Sequence, residues 1–475
     1  MSGIDATINA WIRPLADALA SVVFFKVSIA GAQLPLVVLW LAAGAFYFTL
    51  RFRFINIRGF THALRLVVSS PEPDEPGEVS HFQALATAIS GTVGIGNIGG
   101  VAVAISLGGP GAALWMVLAG VLGMSTKFVE CSLGVIYRQE NADGSVSGGP
   151  MYYLERGLAA RGLPRLGRGL GIFYAVGIVI GCLGIGNMFQ SNQAFIQIVG
   201  VTGGEASWLA DKGWLVGIVI AAVVAAVVLG GIQSIAKFAA RMVPFMAILY
   251  LGGAAVVLAL NFEALPWAFG QMFEGAFSTQ AAGGGAAGAL IVGFQRAVFS
   301  NEAGIGSATI AHSAVRTREP LSEGFVSLLE PFIDTVVICQ ATALVVITTS
   351  YFDPSFGVGL DGIAMTSSAF ERRFSWAPYP LALAATLFAL STMVSWSYYG
   401  LKGWTYLVGE GRRAENIFKT IFCLFVALGC MLQLEAILDF SDALVFLICI
   451  PNLIGLYVLA PVVQARLQNY PKKLS

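Results

Sequence analysis

The stretch Ser90–Gly100 reads SGTVGIGNIGG and interrupts an apolar segment, with ALATAI before it and VAVAISL after it. Five of its eleven residues are glycine, and each glycine weakens a helix by about 1 kcal/mol against alanine. The stretch therefore predicts two membrane half-helices joined by unwound backbone. At membrane depth such backbone has N–H and C=O groups without helical partners, tolerated only where protein or a polar cavity satisfies them. A break of this kind is the usual pointer to a transporter binding site. The half-helix N-terminus faces anionic groups, and the freed carbonyls coordinate a cation. A lone glycine cluster also fits close helix packing through small residues. A second occurrence favours the transporter reading. Residues 300–307 read SNEAGIGS, and both stretches fit S-x-x-x-G-I-G-[NS]. Paired interrupted segments in corresponding positions of two halves mark an inverted-repeat transporter.

Composition sets the same frame. Of 475 residues, 57% are hydrophobic and 11% are charged, against about 25% charged in soluble domains. This is the composition of a polytopic membrane protein. Net charge is zero, so nothing supports a nucleic-acid partner. The cysteines Cys131, Cys182, Cys339, Cys423, Cys430 and Cys449 lie in apolar segments without CxxC spacing. Neither a disulfide framework nor a metal site follows from them. His62, His81 and His312 are scattered, and no HExxH or Walker motif points to metal hydrolysis or ATP-driven pumping.

The first residues lack a signal peptide's basic start, short apolar core and cleavage site. Over residues 5–27, Ile8, Trp11, Ile12, Leu15, Leu19, Val22 and Val23 recur at helical spacing. That pattern predicts an interfacial helix, or the ragged start of a long first span. Apolar length then predicts eleven spans, at roughly 28–50, 82–107, 111–137, 170–200, 214–231, 239–260, 288–312, 323–349, 378–407, 414–431 and 441–463. SGGPMYYLERGL at 147–158 predicts a short helix in a basic loop, and 263–285 a surface or re-entrant piece.

Lys and Arg set the orientation. With loop 51–80 cytoplasmic, about nineteen fall inside and about five outside. The N-terminus is then outside and the C-terminus inside. Each interrupted span leads a group of five, and an odd number inverts the second group. The expected fold is an all-α membrane protein of about eleven helices, a 5+5 inverted repeat with two discontinuous helices and one leading helix. Its regions are a leading segment with cytoplasmic linker (1–80), a first repeat (81–260), an extracellular piece with the second repeat (261–465) and a cytoplasmic tail (466–475).

Four motifs together carry a family resemblance: GTVGIGNIGGVA, GGPMYYLERGL, FSNEAGIGSA and STMVSWSYYG. They resemble the bacterial alanine or glycine:cation symporters, also called sodium:alanine symporters. The resemblance covers nearly the whole chain. It implies the 5+5 fold shared with neurotransmitter:sodium symporters and sodium-coupled uptake of alanine or glycine across the bacterial inner membrane. VGIGN is similar to the VGLGN-type break of the second group, by analogy of fold alone.

On this reading the N–H groups of Ile95, Gly96 and Asn97 hold a substrate carboxylate, and the Thr92 carbonyl accepts its ammonium. Gly94 and Gly96 let the ligand approach the backbone. The resemblance places sodium among the carbonyls of Ser90, Val93 and Phe388 and the hydroxyls of Ser391 and Thr392. Sodium, as a hard cation, prefers such oxygens, although Ser and Thr also bond their own helix backbone. Trp396, four residues after Thr392, is expected to wall the pocket. In GIGNMFQSNQ at 184–193, Gln190 is the first choice to reach substrate and Asn187 the second, since amides at membrane depth are costly unless satisfied. Phe299, Ser300 and Asn301 are candidates from the second break. Glu302 is an intramembrane carboxylate for which Arg296 offers a pair. Lys127 and Glu130 are expected to pair at i, i+3, whereas Glu330 and Asp334 repel unless another helix supplies a cation.

A sodium-coupled importer of small neutral amino acids follows, with sodium ion, amino acid and lipid bilayer as partners. The alternative is a proton-coupled symporter of the same fold, with Glu302 or Glu330 as proton carrier. No nucleophile–base pair or metal cluster supports an enzyme, and no filter loop supports a channel.

Overall fold

The computed structural model describes residues 3–29, 32–69, 75–141, 144–277, 285–351, 353, 362–432 and 435–470. Their regular structure is helical apart from two antiparallel hairpins, β1 (Lys26–Ile29) with β2 (Ala32–Pro35) and β3 (Gln139–Glu140) with β4 (Val146–Ser147). Helix α1 (Gly3–Val23) precedes α2 (Leu36–Arg51). The first interrupted span is α3 (His81–Thr92) and α4 (Val101–Gly108). Then come α5 (Gly111–Ile136), α6 (Pro164–Leu183), α7 (Phe189–Val201), α8 (Gly213–Val228) and α9 (Gly231–Leu260). Helix α10 (Leu265–Phe277) leads to the second interrupted span, α11 (Gly285–Asn301) and α12 (Ala308–His312). The chain finishes with α13 (Pro320–Val326), α14 (Cys339–Thr349), α15 (Gly362–Glu371), α16 (Pro378–Val408), α17 (Arg412–Met431) and α18 (Glu435–Asn469).

Both interruptions fall where the glycines are. Helix α3 starts from a capping box: Ser80 Oγ accepts from the Gln83 N–H at 3.2 Å, and Gln83 Oε1 accepts from the Ser80 N–H at 3.0 Å. It ends at Thr92, and Val93 is extended with φ −77° and ψ 94°. A widened turn over Gly96–Gly100 restarts the helix, and the two halves meet at 57°. The second interruption needs left-handed backbone, with φ of 55° at Glu302, 95° at Gly304 and 91° at Gly306. Glycine adopts that region freely and a β-carbon resists it.

The start of the first interrupted span and the end of the second are tied together. Val79 bridges Val315, and Arg138 donates to four carbonyls, of Pro76 (2.8 Å), Ser313 (3.1 Å), Val315 (2.6 Å) and Thr317 (2.9 Å). One guanidinium thus satisfies the loose carbonyls of both chain ends, which buried backbone requires.

Length and composition give seven crossing helices among the described residues, or eight with the bent first pair, against eleven expected. The difference has a physical source. Leu36–Arg51 and Gly213–Val228 have 16 residues each, short of the ~20 that span hydrocarbon without help. The second interrupted span is split into pieces of 17 and 5 residues.

The amphipathic N-terminal segment forms α1 and rests on protein. Arg13 Nη1 lies 2.5 Å from Asp439 Oδ2, and Phe24 meets Phe446 edge-on at 5.2 Å. Trp11, Leu15 and Val22 stay exposed on its outer face. The 147–158 motif forms a short helix, Pro150–Tyr152, continued by a widened turn at Tyr153–Gly157. The 263–285 piece is helical over Leu265–Phe277, and residues 278–284 lie outside the described residues.

Candidate substrate and ion site

Three elements converge on the first break. A β-carbon at Gly94 would lie 2.9 Å from Thr392 Oγ1 of α16 and 3.4 Å from Gln190 Oε1 of α7. Only glycine lets these groups come so near the backbone. Gln190 Nε2 donates to the Ile185 carbonyl at 3.2 Å. Gln190 Oε1 and Thr392 Oγ1, by contrast, are buried without a hydrogen-bond partner. Leaving a buried polar atom unsatisfied costs about 1–3 kcal/mol. Two such oxygens aimed at one stretch of freed backbone therefore fit a missing cationic or donor partner.

The expected ion ligands lie beside this point. Ser90 Oγ donates to the Ser391 carbonyl at 2.7 Å, while Ser391 Oγ donates to the Phe388 carbonyl at 2.9 Å and is 3.5 Å from the Ser90 carbonyl. Ser391 thus bonds its own helix and at the same time faces the first break. Val93, three residues after Ser90, is extended and fully buried. The donor set is all oxygen, which suits a hard cation. Thr92 Oγ1 turns back to the Ala88 and Ile89 carbonyls at 3.3 and 3.4 Å, so only its backbone is open to a ligand.

Trp396 is buried one turn below Thr392. Its Nε1–H donates to the Gly91 carbonyl at 3.1 Å, and its ring covers Gly186, where a β-carbon would meet it at 2.4 Å. It wedges α3 against the α6–α7 turn. Asn187, the second amide candidate, donates to the Phe422 carbonyl at 2.8 Å and so reaches α17, with its Oδ1 unpartnered. Ile95 and Gly96 border a cavity of about 320 Å³ that also touches Phe299. The Phe299 ring stands 3.7 Å from where a Gly96 β-carbon would be.

Asn97, Ser300 and Asn301 take part in a polar knot between the two breaks. Asn97 Oδ1 accepts from the Gly94 N–H at 2.9 Å; its Nδ2 donates to Ser300 Oγ at 2.9 Å and to the Asp334 carboxylate. Ser300 and Thr335 hydroxyls each donate to Asp334 Oδ2 at 2.7 Å. Thr342 Oγ1 donates to the Asn97 carbonyl at 3.0 Å. Asn301 donates to Thr335 Oγ1 at 3.0 Å and accepts from the Ala303 N–H at 3.0 Å. Sequence reasoning left Asp334 without a role. The signal was its position in an apolar segment, but two of the partners that define it, Asn97 and Ser300, lie 237 and 34 residues away. This carboxylate with its hydroxyls is a second set of hard oxygens next to Gly94.

The charge pairing differs from the local expectation. Lys127 Nζ is 2.8 Å from Glu330 Oε1, and both side chains are fully buried. Glu130 Oε1 instead accepts from the Gly304 N–H at 3.0 Å and from Asn452 Nδ2 at 2.6 Å, holding the second break in place. Glu302 accepts from the Ser307 hydroxyl, so Arg296 is not its partner. Further along, His312 Nδ1 is 2.5 Å from Glu323 Oε2, and His81 contacts the same carboxylate.

Comparison with known proteins agrees with this architecture. Residues 18–475 match the model of the sodium:alanine symporter family. The sodium/alanine symporter AgcS of Methanococcus maripaludis is 39% identical over 90% of this chain and 92% of that protein. A Bacillus subtilis relative named "Probable sodium/glutamine symporter GlnT" is 32% identical over 92% of this chain and 88% of its own. A crystal structure of MhsT in complex with L-phenylalanine superposes with a TM-score of 0.56 at 16% identity, covering 79% of this chain and 89% of that one. That likeness shows the neurotransmitter:sodium symporter fold. The chain is a multi-pass transporter rather than an enzyme, and it belongs to the sodium:alanine symporter family.

Proposed function

We propose that the protein imports a small neutral amino acid, alanine or glycine, together with sodium, by alternating access between the repeats 81–260 and 261–465. The observation that carries this reading is the pair of unpartnered oxygens, Gln190 Oε1 and Thr392 Oγ1, facing the freed backbone at Gly94. A zwitterion fits the two ends of one interrupted span. The N–H groups of Ile95 and Gly96 take its carboxylate, while the Thr92 carbonyl and Gln190 Oε1 take its ammonium. Sodium is held by the Ser90, Val93 and Phe388 carbonyls with Ser391 and Thr392. Thr392 stands between ion and substrate, so filling either site orders the other, which is the physical form of coupling. The Lys/Arg bias supports an N-terminus outside and a C-terminus in the cytoplasm of a bacterial inner membrane.

Uptake of labelled alanine and glycine into proteoliposomes, with and without a sodium gradient, tests the proposal. No sodium-stimulated uptake of either amino acid would sink it. A proton-coupled reading draws on one observation, the buried chain His81–Glu323–His312 with Glu330–Lys127. Uptake that persists when choline replaces sodium at fixed pH favours protons.

Thr392→Ala is expected to raise the sodium concentration for half-maximal uptake about tenfold or more. Losing one oxygen of a cation site costs on the order of 1–3 kcal/mol. The amino-acid competition profile should change less. An unaltered sodium dependence would move the ion elsewhere.

A further inference from the structure

We propose that the inner ends of α2 and α18 form a site for the phosphate headgroup of an anionic phospholipid, which pins the leading helix behind the second break.

Residues 51–58 read RFRFINIR, three arginines set among apolar residues. The chain turns sharply here after α2. Arg53 and Phe54 adopt left-handed backbone, with φ of 53° and 57°, a region that a β-carbon resists. Buried neighbours hold the turn. Phe52 meets Phe128 of α5 at 5.7 Å, and Asn56 Nδ2 donates to the Val121 carbonyl at 2.8 Å. The turn brings Arg51, Arg53 and Arg58 to one cavity of about 260 Å³, which Gln464, Leu467 and Gln468 of α18 complete.

Among the described residues nothing answers this charge. No carboxylate borders the cavity. Arg51 Nη1 donates to the Tyr47 hydroxyl at 2.7 Å, but its Nε is buried without a partner. The side chains of Arg53 and Arg58 make no hydrogen bond or ion pair among the described residues. Each guanidinium offers five donors, and the two glutamine amides add more. An anion with several oxygens fits such a lining, and phosphate is the group that arginine forks bind through paired hydrogen bonds.

The rim says where the phosphate comes from. Leu50, Phe54 and Ile57 are exposed beside the arginines, as residues that face acyl chains are. On the orientation proposed above, this end lies at the cytoplasmic leaflet. Basic pockets between helix ends at that leaflet suit the headgroups of anionic lipids. Orientation alone would be served by arginines anywhere in a cytoplasmic loop. Here three of them share one cavity with two amides from another helix.

A headgroup held there acts on the second break. Helix α2 belongs to neither repeat, yet a β-carbon at Gly304 would lie 2.4 Å from Leu41 Cδ2 of α2 and 3.9 Å from Leu453 Cδ2 of α18. Phe48 of α2 stacks on Tyr457 of α18 at 5.3 Å. A phosphate bridging Arg51 and Gln464 closes the same two helices at their inner ends.

The experiment titrates phosphatidylglycerol into the purified full-length protein in detergent. Native mass spectrometry counts bound lipid, and the temperature for half-loss of the monodisperse peak reports stability. The wild type should hold one phosphatidylglycerol per chain about tenfold more tightly than phosphatidylcholine, and should be stabilised by it. Arg53→Gln/Arg58→Gln, at exposed positions, should weaken that lipid about tenfold or more, since each basic residue near an anionic headgroup contributes about fivefold. Gln464→Leu/Gln468→Leu should weaken it severalfold at unchanged net charge. Arg161→Gln/Arg165→Gln removes two exposed arginines elsewhere on the same side of the membrane and should change nothing. An unaltered elution peak shows that each variant is folded. Equal losses in the two arginine variants would mean a general attraction of lipid to a basic surface and would overturn the site. So would unchanged phosphatidylglycerol binding in Arg53→Gln/Arg58→Gln. Inorganic phosphate separates the two sources of the group. Little stabilisation by it alone is expected, and stabilisation equal to the lipid's overturns the lipid assignment.

Discussion

Lys127→Met is expected to destabilise the protein by about 3–5 kcal/mol, the scale for stripping one partner from a fully buried ion pair. The methionine matches the lysine stem in length, so packing is nearly preserved and the effect isolates the charge. Glu330 would keep only His312, whose Nε2 lies 3.8 Å from Glu330 Oε2. The loss should appear as a lower temperature for half-loss of the monodisperse peak after heating in detergent. The double variant Lys127→Met/Glu330→Met should recover much of it, because replacing both charges by apolar groups is often neutral. A single variant as heat-resistant as the wild type would show that the pair contributes nothing to the fold.

Trp396→Ala should combine two effects of similar size. Removing a buried tryptophan costs about 3–5 kcal/mol through lost transfer energy and the cavity left behind, and it strips the Gly91 carbonyl of its donor. The vacated space lies between Gly91 and Gly186, one turn from Thr392. Carboxylate and ammonium contacts made by backbone are common to all amino acids, so selectivity must come from volume. A lost methylene's worth of space changes discrimination by about 1–3 kcal/mol, and a steric wall removes more. Alanine uptake should weaken while valine and leucine become competitors. Trp396→Phe, which keeps a ring but not the bond to Gly91, should retain the narrow range. The measurement is inhibition of labelled alanine uptake by each amino acid. A wild-type competition profile in Trp396→Ala would remove Trp396 from the pocket.

Some of the site is legible because its chemistry is local. Glycine density places both breaks within a residue or two, since helix propensity acts residue by residue. The Thr392–Trp396 spacing likewise follows from one helix. What escaped depends on contacts distant in sequence. Helical spacing paired Lys127 with Glu130, yet Lys127 meets Glu330, 203 residues away. Asp334 gains its meaning from Asn97, 237 residues away, and from Ser300. Asn97 was expected to serve a ligand through its N–H, and its side chain turns out to brace the Gly94 N–H against the second break. Of four amides in one polar run, nothing in their order says that Gln190 reaches Gly94 while Asn187 and Asn192 reach α17 and its end.

The sequence by itself determined the membrane class, the two breaks, their inverted placement and the family. Each follows from composition, from residue-by-residue backbone preference or from motif. Only the tertiary structure decided which buried polar groups satisfy one another, and so which remain open to a ligand. In a low-dielectric interior every polar atom must find a partner, and the partner is chosen by the packing of whole helices. The unpartnered oxygens of Gln190 and Thr392 beside Gly94 exist only once that packing is complete.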